Sequence, residues 1–459
     1  MAMRRRRSGK QKGLWVSATK MPRSPGHVFY DKLNSVLEAG GFDEYVEGLC
    51  APHYADAMGR PSIEPGVYFR MLFVGYFEGL GAQRAIAWRC ADSLSLRAFL
   101  GLNEDEESPD HSSMTRIRQR LPEDVFEQVF RFALRVATER GLLKGKTIAV
   151  DATTLEANAA MKSLVRRDTE EDWRTYVKRL AEEEGIEDPN DEDLRRFDKN
   201  RKGKKASNKE WKSATDKDSR VTRMKDGRTH LAYKAEHAVD LDSEMIVGAV
   251  IHRADDADPD TVAVTVELSR QNLSDAGSPS TIEEVVLDKG YHKAETLAQL
   301  ENQYGVRPYA AEPKRHGRRK WQDKPEEQRR AVYGNRRRIR GRRGRRLGRL
   351  RSERAERTFA HVCETGGGRR AWLRGVANVS KSHLMKATAH NLGLIMLALF
   401  GVGTPRALQG VKALISSLFA ASRELFAAFW IAVGRLYELG CGFSAGFADP
   451  ASASGYGRN

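Results

Sequence analysis

The sequence predicts a mixed α/β sheet domain with helices on both faces, preceded by an all-α block of the helix-turn-helix-like kind. Three observations predict it. Two short apolar runs end on an acid, Thr147-Ile148-Ala149-Val150 at Asp151 and Glu284-Val285-Val286-Leu287 at Asp288. Between them His230–Val239 alternates, and after a short polar turn Met245–Ile251 follows, which is the pattern of a β-hairpin. Upstream, residues 28–142 carry apolar residues at helical spacing.

Taken in order, Tyr30, Leu33, Val36 and Leu37 mark one helix face. Ser62-Ile63-Glu64-Pro65 opens a second helix with proline in its first turn, continued by Tyr68, Met71, Leu72, Gly75 and Tyr76. Gly79 and Gly81 punctuate before Ala82–Arg89, and Ser93–Leu100 and Ser112–Leu121 add two short helices. Short helices joined by tight turns suit a helix-turn-helix module. His111–Arg120 begins with hydroxyl residues able to cap and then carries Arg116, Arg118 and Arg120 at every second position, which predicts a DNA-reading helix; the alternative is an ordinary surface helix. After the first strand, residues 165–225 are dense in both charges, with Trp173, Tyr176, Leu180, Leu194 and Trp211 as anchors, and read as a helical insertion. Asp260–Arg270 is then a helix, Ile282–Leu287 a strand, Ala294–Gln303 a helix and Val306–Tyr309 a strand. The organisation expected is a basic arm over 1–26, a helical DNA-binding domain over 27–142, a mixed-sheet domain over 143–400 with its insertion, and a helical tail over 401–459.

Of the 459 residues 40% are hydrophobic, ample for a core in two or three domains. The formal charge is +16 and is unevenly spread. Between Lys314 and Arg351 there are 18 Lys or Arg against three acids, a surplus of 15 that is nearly the whole net charge. Such a field attracts a polyanion and releases its counterions on binding. The run is mostly arginine, suited to bidentate phosphate contact, so Arg336, Arg337, Arg338, Arg342 and Arg343 are candidate DNA-backbone contacts. A solvated charged face is the bland alternative. The four cysteines lie far apart without a C-x-x-C pair, which argues against structural zinc and a disulfide framework and fits a reducing cytoplasm. Met-Ala-Met-Arg-Arg-Arg-Arg-Ser at the N-terminus has no apolar run behind it and is read as a phosphate-touching arm, not a secretory signal. No membrane span is expected: Leu392–Phe400 is too short, and Val411–Val433 is broken by Lys412, Arg423 and Glu424 into an amphipathic helix that, extended to Leu439, is read first as packing on the core, with a partner interface as the alternative.

An isolated acid at a strand end costs solvation unless a metal or a cationic partner uses it. Acids at adjacent strand ends meet on one rim of an α/β sheet, where such folds place their sites. Asp151 and Asp288, with Glu356 in the basic helix Arg354-Ala355-Glu356-Arg357-Thr358-Phe359, therefore form a candidate carboxylate site for Mg²⁺ or Mn²⁺ facing double-stranded DNA. Phosphodiester cleavage by two divalent ions needs hard oxygen ligands and no His or Cys. Asp240, Asp242, Asp255, Asp256 and Asp258 lie near the hairpin and are read first as turn or cap residues. Glu156 reads as a surface residue, and spacing does not separate Glu356 from Glu353 or Glu364.

Asp151-Ala152-Thr153-Thr154-Leu155-Glu156-Ala157-Asn158-Ala159-Ala160-Met161, Val286-Leu287-Asp288-Lys289-Gly290-Tyr291 and Glu356-Arg357-Thr358-Phe359-Ala360-His361 resemble bacterial insertion-sequence transposases of the DDE class, within the large IS-four/IS-five assemblage. Gly59–Arg70 resembles the InsH-type N-terminal domain of that group, and the likeness spans roughly residues 27–400. The resemblance implies a ribonuclease-H-like catalytic fold, two Mg²⁺ ions held by Asp151, Asp288 and Glu356, cleavage at inverted repeats and joining of 3′-hydroxyls to target DNA, with a homodimer in the DNA complex. It also implies a Tyr and an Arg upstream of the Glu and a Lys seven residues after it. Here Tyr333 and Arg336 stand far upstream, Ser352 is four before Glu356 with Arg351 beside it, and the Lys position is Cys363. A nuclease of the same fold that does not join DNA, and a non-catalytic arginine-rich nucleic-acid-binding protein, are the rival readings.

Overall fold

The computed structural model describes residues 25–409 except 56–61, 104, 202–206, 225–226, 315–320 and 323. The basic arm up to residue 24 and the amphipathic segment from 411 onward lie outside the described residues.

Seven helices come first: α1 (Pro25–Ala39), α2 (Phe42–Cys50), α3 (Pro65–Phe77), α4 (Gln83–Asp92), α5 (Leu94–Phe99), α6 (His111–Arg120) and α7 (Glu123–Glu139). The apolar face read from Tyr30, Leu33, Val36 and Leu37 is buried, and it packs with Phe69, Phe73, Phe126 and Phe132 into one aromatic-rich core. Arg70, inside α3, is buried because Asp43 pairs with both ends of its guanidinium at 2.5 and 2.8 Å. α6 is capped not by its hydroxyls but by Asp110, which accepts from the Ser113 amide at 2.7 Å.

The chain then forms β1 (Thr147–Glu156), β2 (Leu164–Arg166), α8 (Trp173–Glu183), α9 (Asp191–Asn200), β3 (Trp211–Ser213), β4 (Arg220–Arg223), β5 (Thr229–Asp240) and β6 (Ile246–Arg253). The insertion is thus helical only in part: α8 and α9 stand beside a β2–β3 ribbon, and β4 joins the main sheet. Next come α10 (Asp258–Asp275), β7 (Glu284–Leu287), α11 (Ala294–Asn302), β8 (Arg307–Ala310), α12 (Glu326–Arg340), α13 (Arg342–Phe359), a π-helical turn (Ala360–Thr365) and α14 (Val376–Phe400).

Among the described residues the main sheet runs β5-β1-β7-β8, with β6 and β4 sharing the outer edge of β5. β5 and β6 are the expected hairpin, β1 pairs antiparallel with β5, and β7 and β8 continue parallel to β1. This mixed α/β architecture agrees with a ribonuclease-H-like fold. α10 covers one face with Ile148, Val150 and Val262, α13 covers the other with Ala149, Val286, Leu347 and Ala355, and α14 packs along β6 and against α7.

Two buried asparagines close the ends of the sheet. Asn335 on α12 accepts from the Ala310 amide at 2.8 Å and donates to its carbonyl at 2.9 Å, and Asn391 on α14 does the same for Ile246 at 2.9 and 2.8 Å. Each amide acts as a one-residue extra strand, so a sheet edge is buried without orphaned backbone groups. Asn335→Leu would leave an N–H and a C=O unpaired in the core and should cost roughly 2–4 kcal/mol in urea unfolding; a loss under about 0.5 kcal/mol would contradict this role.

α14 is long and apolar enough to cross a membrane by length and composition. Within the protein its N-terminal two-thirds is a core helix carrying buried polar groups with internal partners: Lys381 donates to the Leu121 carbonyl at 2.7 Å and Lys386 to the Gly367 carbonyl at 2.8 Å.

Candidate active site

Asp151 does not end its strand. β1 runs on to Glu156 because β5 pairs with it as far as Glu156↔Ala232, whereas its parallel neighbour β7 stops at Val150↔Leu287. Asp151 is therefore the first residue past the point where β1 loses one neighbour, and Asp288 is the first past the end of β7. Adjacent strands are about 4.8 Å apart, so both acids stand at one cleft in the rim. Alternation places Asp151 on the Ala149 face and Asp288 on the Val286 face, the side covered by α13.

Arg351 on α13 joins them. Its Nη1 lies 3.1 Å from Asp151 Oδ2 and its Nη2 3.9 Å from Asp288 Oδ1. Each acid also accepts from the amide of the next residue, Asp151 from Ala152 at 2.9 Å and Asp288 from Lys289 at 2.6 Å. The Asp288 turn is anchored from below by Tyr291, whose hydroxyl donates to Glu236 Oε1 at 2.8 Å. Glu236 is fully buried on β5; Thr261, Thr265 and Tyr291 donate to it and His252 stands beside it, contacts that hold its carboxyl below the usual range against the opposing effect of burial. Gly290 admits Asp258 here: a Cβ at Gly290 would sit 2.8 Å from Asp258 Oδ2.

Glu356 does not touch this pair. It is exposed, five residues beyond Arg351, or ~140° around the helix at 100° per residue. The two flanks of α13 face opposite ends of β1. Arg354 and Arg357 reach the β5–β6 turn at Leu241 and Glu244, whereas Phe359 packs with Leu155. Glu356 is the i−3 neighbour of Phe359 and so lies on the rim side, facing solvent. Glu353 pairs with Arg357 at 2.6 Å and Glu364 with Arg369, and Cys363, at the lysine position of the resemblance, is buried. Among the described residues no group of three or more His, Cys, Asp or Glu is close enough to hold a metal. Of the hairpin aspartates, Asp240 and Asp256 are the turn residues expected, Asp240 accepting from Ser243 Oγ at 2.6 Å and Asp256 from the Arg253 amide at 3.1 Å, whereas Asp258 pairs with Lys234 at 3.2 Å.

The donors still fit a divalent ion. A cation already sits between the two carboxylates, and Mg²⁺ commonly takes one or two protein carboxylates and fills its remaining positions with water and substrate phosphate.

The candidate arginines divide sharply. Arg336 pairs with Glu312, Arg338 with Glu301 and the Pro308 carbonyl, and Arg343 with Glu284, so these three fasten α12 and α13 to α11, to β7 and to β8 and the segment after it. Arg337 and Arg342 are exposed, and so are Arg340, Arg345, Arg346 and Arg349, which sequence reading had not singled out. Arg342, Arg345, Arg346 and Arg349 follow i, i+3, i+4, i+7 spacing, a stripe along the outer face of α13 that leads toward Glu353 and Glu356. On α6, Arg116 is exposed and Arg120 lies over the Tyr54 ring at 4.5 Å. Arg118 is half-buried and donates to Gln83 at 2.7 Å and to Asn378 at 3.2 Å, so it joins α6 to α4 and α14.

Beneath α13 lies a feature that periodicity could not reveal. His237, opposite Asp151 in the β5 register, makes a 2.7 Å Nε2–Nε2 contact with His383 and stacks on Phe359, and His390 meets the Tyr76 hydroxyl at 3.1 Å. Burial pushes His383 and His390 down to about 3. Both are neutral in the fold but charge near 6.5 in the unfolded chain, which binds more protons between those values. Stability should therefore fall as pH drops below 6.5. Urea unfolding at pH 7.5 and 5.0 checks this above the carboxylate range; equal midpoints would mean the cluster carries no such penalty.

A mixed sheet with two acids at the split between antiparallel and parallel neighbours, covered by an arginine-lined helix, sets an acidic site beside a basic surface. The chain matches the family described as Transposase DDE domain over residues 143–392, and a transposase domain over residues 19–120. It belongs to the DDE transposase family, as an insertion-sequence transposase with a nuclease-type catalytic domain. No curated protein and no solved structure matches it.

Proposed function

We propose that the protein cuts the inverted-repeat ends of its own element and joins the 3′-hydroxyls to target DNA by divalent-metal phosphoryl transfer, with Asp151, Asp288 and Glu356 as the acidic triad. One observation carries this reading: two acids far apart in sequence share a single guanidinium at the rim of the sheet. A bound Mg²⁺ or Mn²⁺ would acidify the attacking water or hydroxyl and stabilise the leaving alkoxide. The residues of the chain supply the rest. Asp151 and Asp288 offer fixed oxygens, held by backbone amides and by the Tyr291–Glu236 bond. Glu356, on the rim flank of α13, completes the acid set as DNA seats and orients water. The exposed stripe from Arg342 to Arg349 neutralises backbone phosphates and aligns the strand toward the rim.

The N-terminal helices, with Arg116 and Arg120 on α6, are proposed to read the element ends as a helix-turn-helix-like unit, with two copies of the chain pairing the ends. Incubation with a duplex end and a target plasmid in Mg²⁺ or Mn²⁺ tests the proposal. Nicked ends together with strand-transfer products are expected. Cleavage without joining would reduce the activity to a nuclease, and metal-independent binding without cleavage would remove the enzymatic reading.

A further inference from the structure

We propose that Arg351 is the built-in counter-cation of the acidic pair: its guanidinium holds Asp151 and Asp288 together when no divalent ion is present, and it competes with that ion for the same carboxylates. The inference rests on the proposed role of the two acids.

Arg351 lies on the inward face of α13, one turn from Leu347 and one turn from Ala355, both buried. Its side chain is 12% exposed, against 19% for Asp151 and 43% for Asp288. The stem is thus fixed by packing while the planar head spans two acids from different strands. Two carboxylates this close repel one another in a partly desolvated cleft, and a cation between them offsets that repulsion. The neighbouring arginines are engaged elsewhere, Arg343 with Glu284, and Arg354 and Arg357 with Glu244.

A guanidinium cannot lose its proton in a protein. Metal entry therefore requires the head to move, exchanging its N–H···O contacts for metal–oxygen ones. Ser352 Oγ, 3.5 Å from Arg351 Nη2, offers an alternative partner on the rim side. The arrangement keeps the acids preorganised while making their affinity for a lone ion lower than their spacing would produce.

Mn²⁺ binding to the full chain, followed by electron paramagnetic resonance, tests this with wild type, R351Q, R351M and R351K. R351Q and R351M should bind Mn²⁺ at least about tenfold more tightly, because a unit positive charge 3.1 Å from Asp151 and 3.9 Å from Asp288 has gone. R351K keeps the charge and should stay near wild type. Without metal, R351Q should melt below wild type, and added Mn²⁺ should raise its melting temperature more steeply; R351M keeps the apolar stem should R351Q fold poorly. Equal or weaker Mn²⁺ binding by both neutral variants overturns the counter-cation role while leaving the metal site standing. No binding by any of the four proteins at millimolar Mn²⁺ overturns both.

Discussion

Asp151→Asn is expected to slow cleavage of element ends by at least about a thousandfold, because metal-assisted stabilisation of the leaving oxygen is worth several kcal/mol and each factor of ten takes 1.36 kcal/mol. Asparagine retains the shape and can still accept from the Ala152 amide, the 2.9 Å contact that orients the side chain. The strand should not change, since Ala149 and Val150 on either face remain buried. What disappears is one negative charge at the point where β1 parts from β7. The assay is cleavage of an end-labelled duplex in Mn²⁺, with far-ultraviolet circular dichroism confirming the fold. A D151N protein that cuts within tenfold of wild type would sink the metal assignment, and Asp288→Asn should behave alike.

The second large effect concerns DNA binding and separates two groups of arginine that look identical in sequence. Replacing Arg342, Arg345, Arg346 and Arg349 with glutamine should lower the slope of log affinity against log salt by about 3.6, at 0.9 per lost phosphate contact, and weaken binding at 0.1 M salt by roughly three orders of magnitude. Thermal stability should hardly move, because these side chains are exposed on the outer face of α13. Replacing Arg336, Arg338 and Arg343 should do the reverse. Their partners Glu312, Glu301 and Glu284 would be left uncompensated, and Glu284, buried beside Thr147 and Tyr309, would suffer most. An unchanged salt slope in the four-site variant would remove α13 as a DNA track.

Much of the fold was legible along the chain. The β5–β6 hairpin, β7, α10, α11 and β8 stand within a few residues of where alternation and helical spacing put them. Two boundaries were misread for the same reason. β1 was expected to end at Asp151 because its apolar run ends there, yet β5 supplies backbone partners for five more residues. The insertion was expected to be helical because its charges are dense, yet part of it pairs as β2–β3 and β4. Strand pairing is non-local, and composition does not record it.

By itself the sequence determined most strands and helices outside the insertion, that two acids close apolar runs, and that a basic helix follows them. Those properties depend on periods of two and 3.6 residues and on local charge. Tertiary structure alone decided that Arg351 comes between Asp151 and Asp288, that half of the chosen arginines bind the protein's own acids or carbonyls, and that Glu356 stands on the rim flank of α13. An ion pair is decided by the distance between groups remote in the chain, and packing sets that distance to tenths of an ångström where no local pattern reaches.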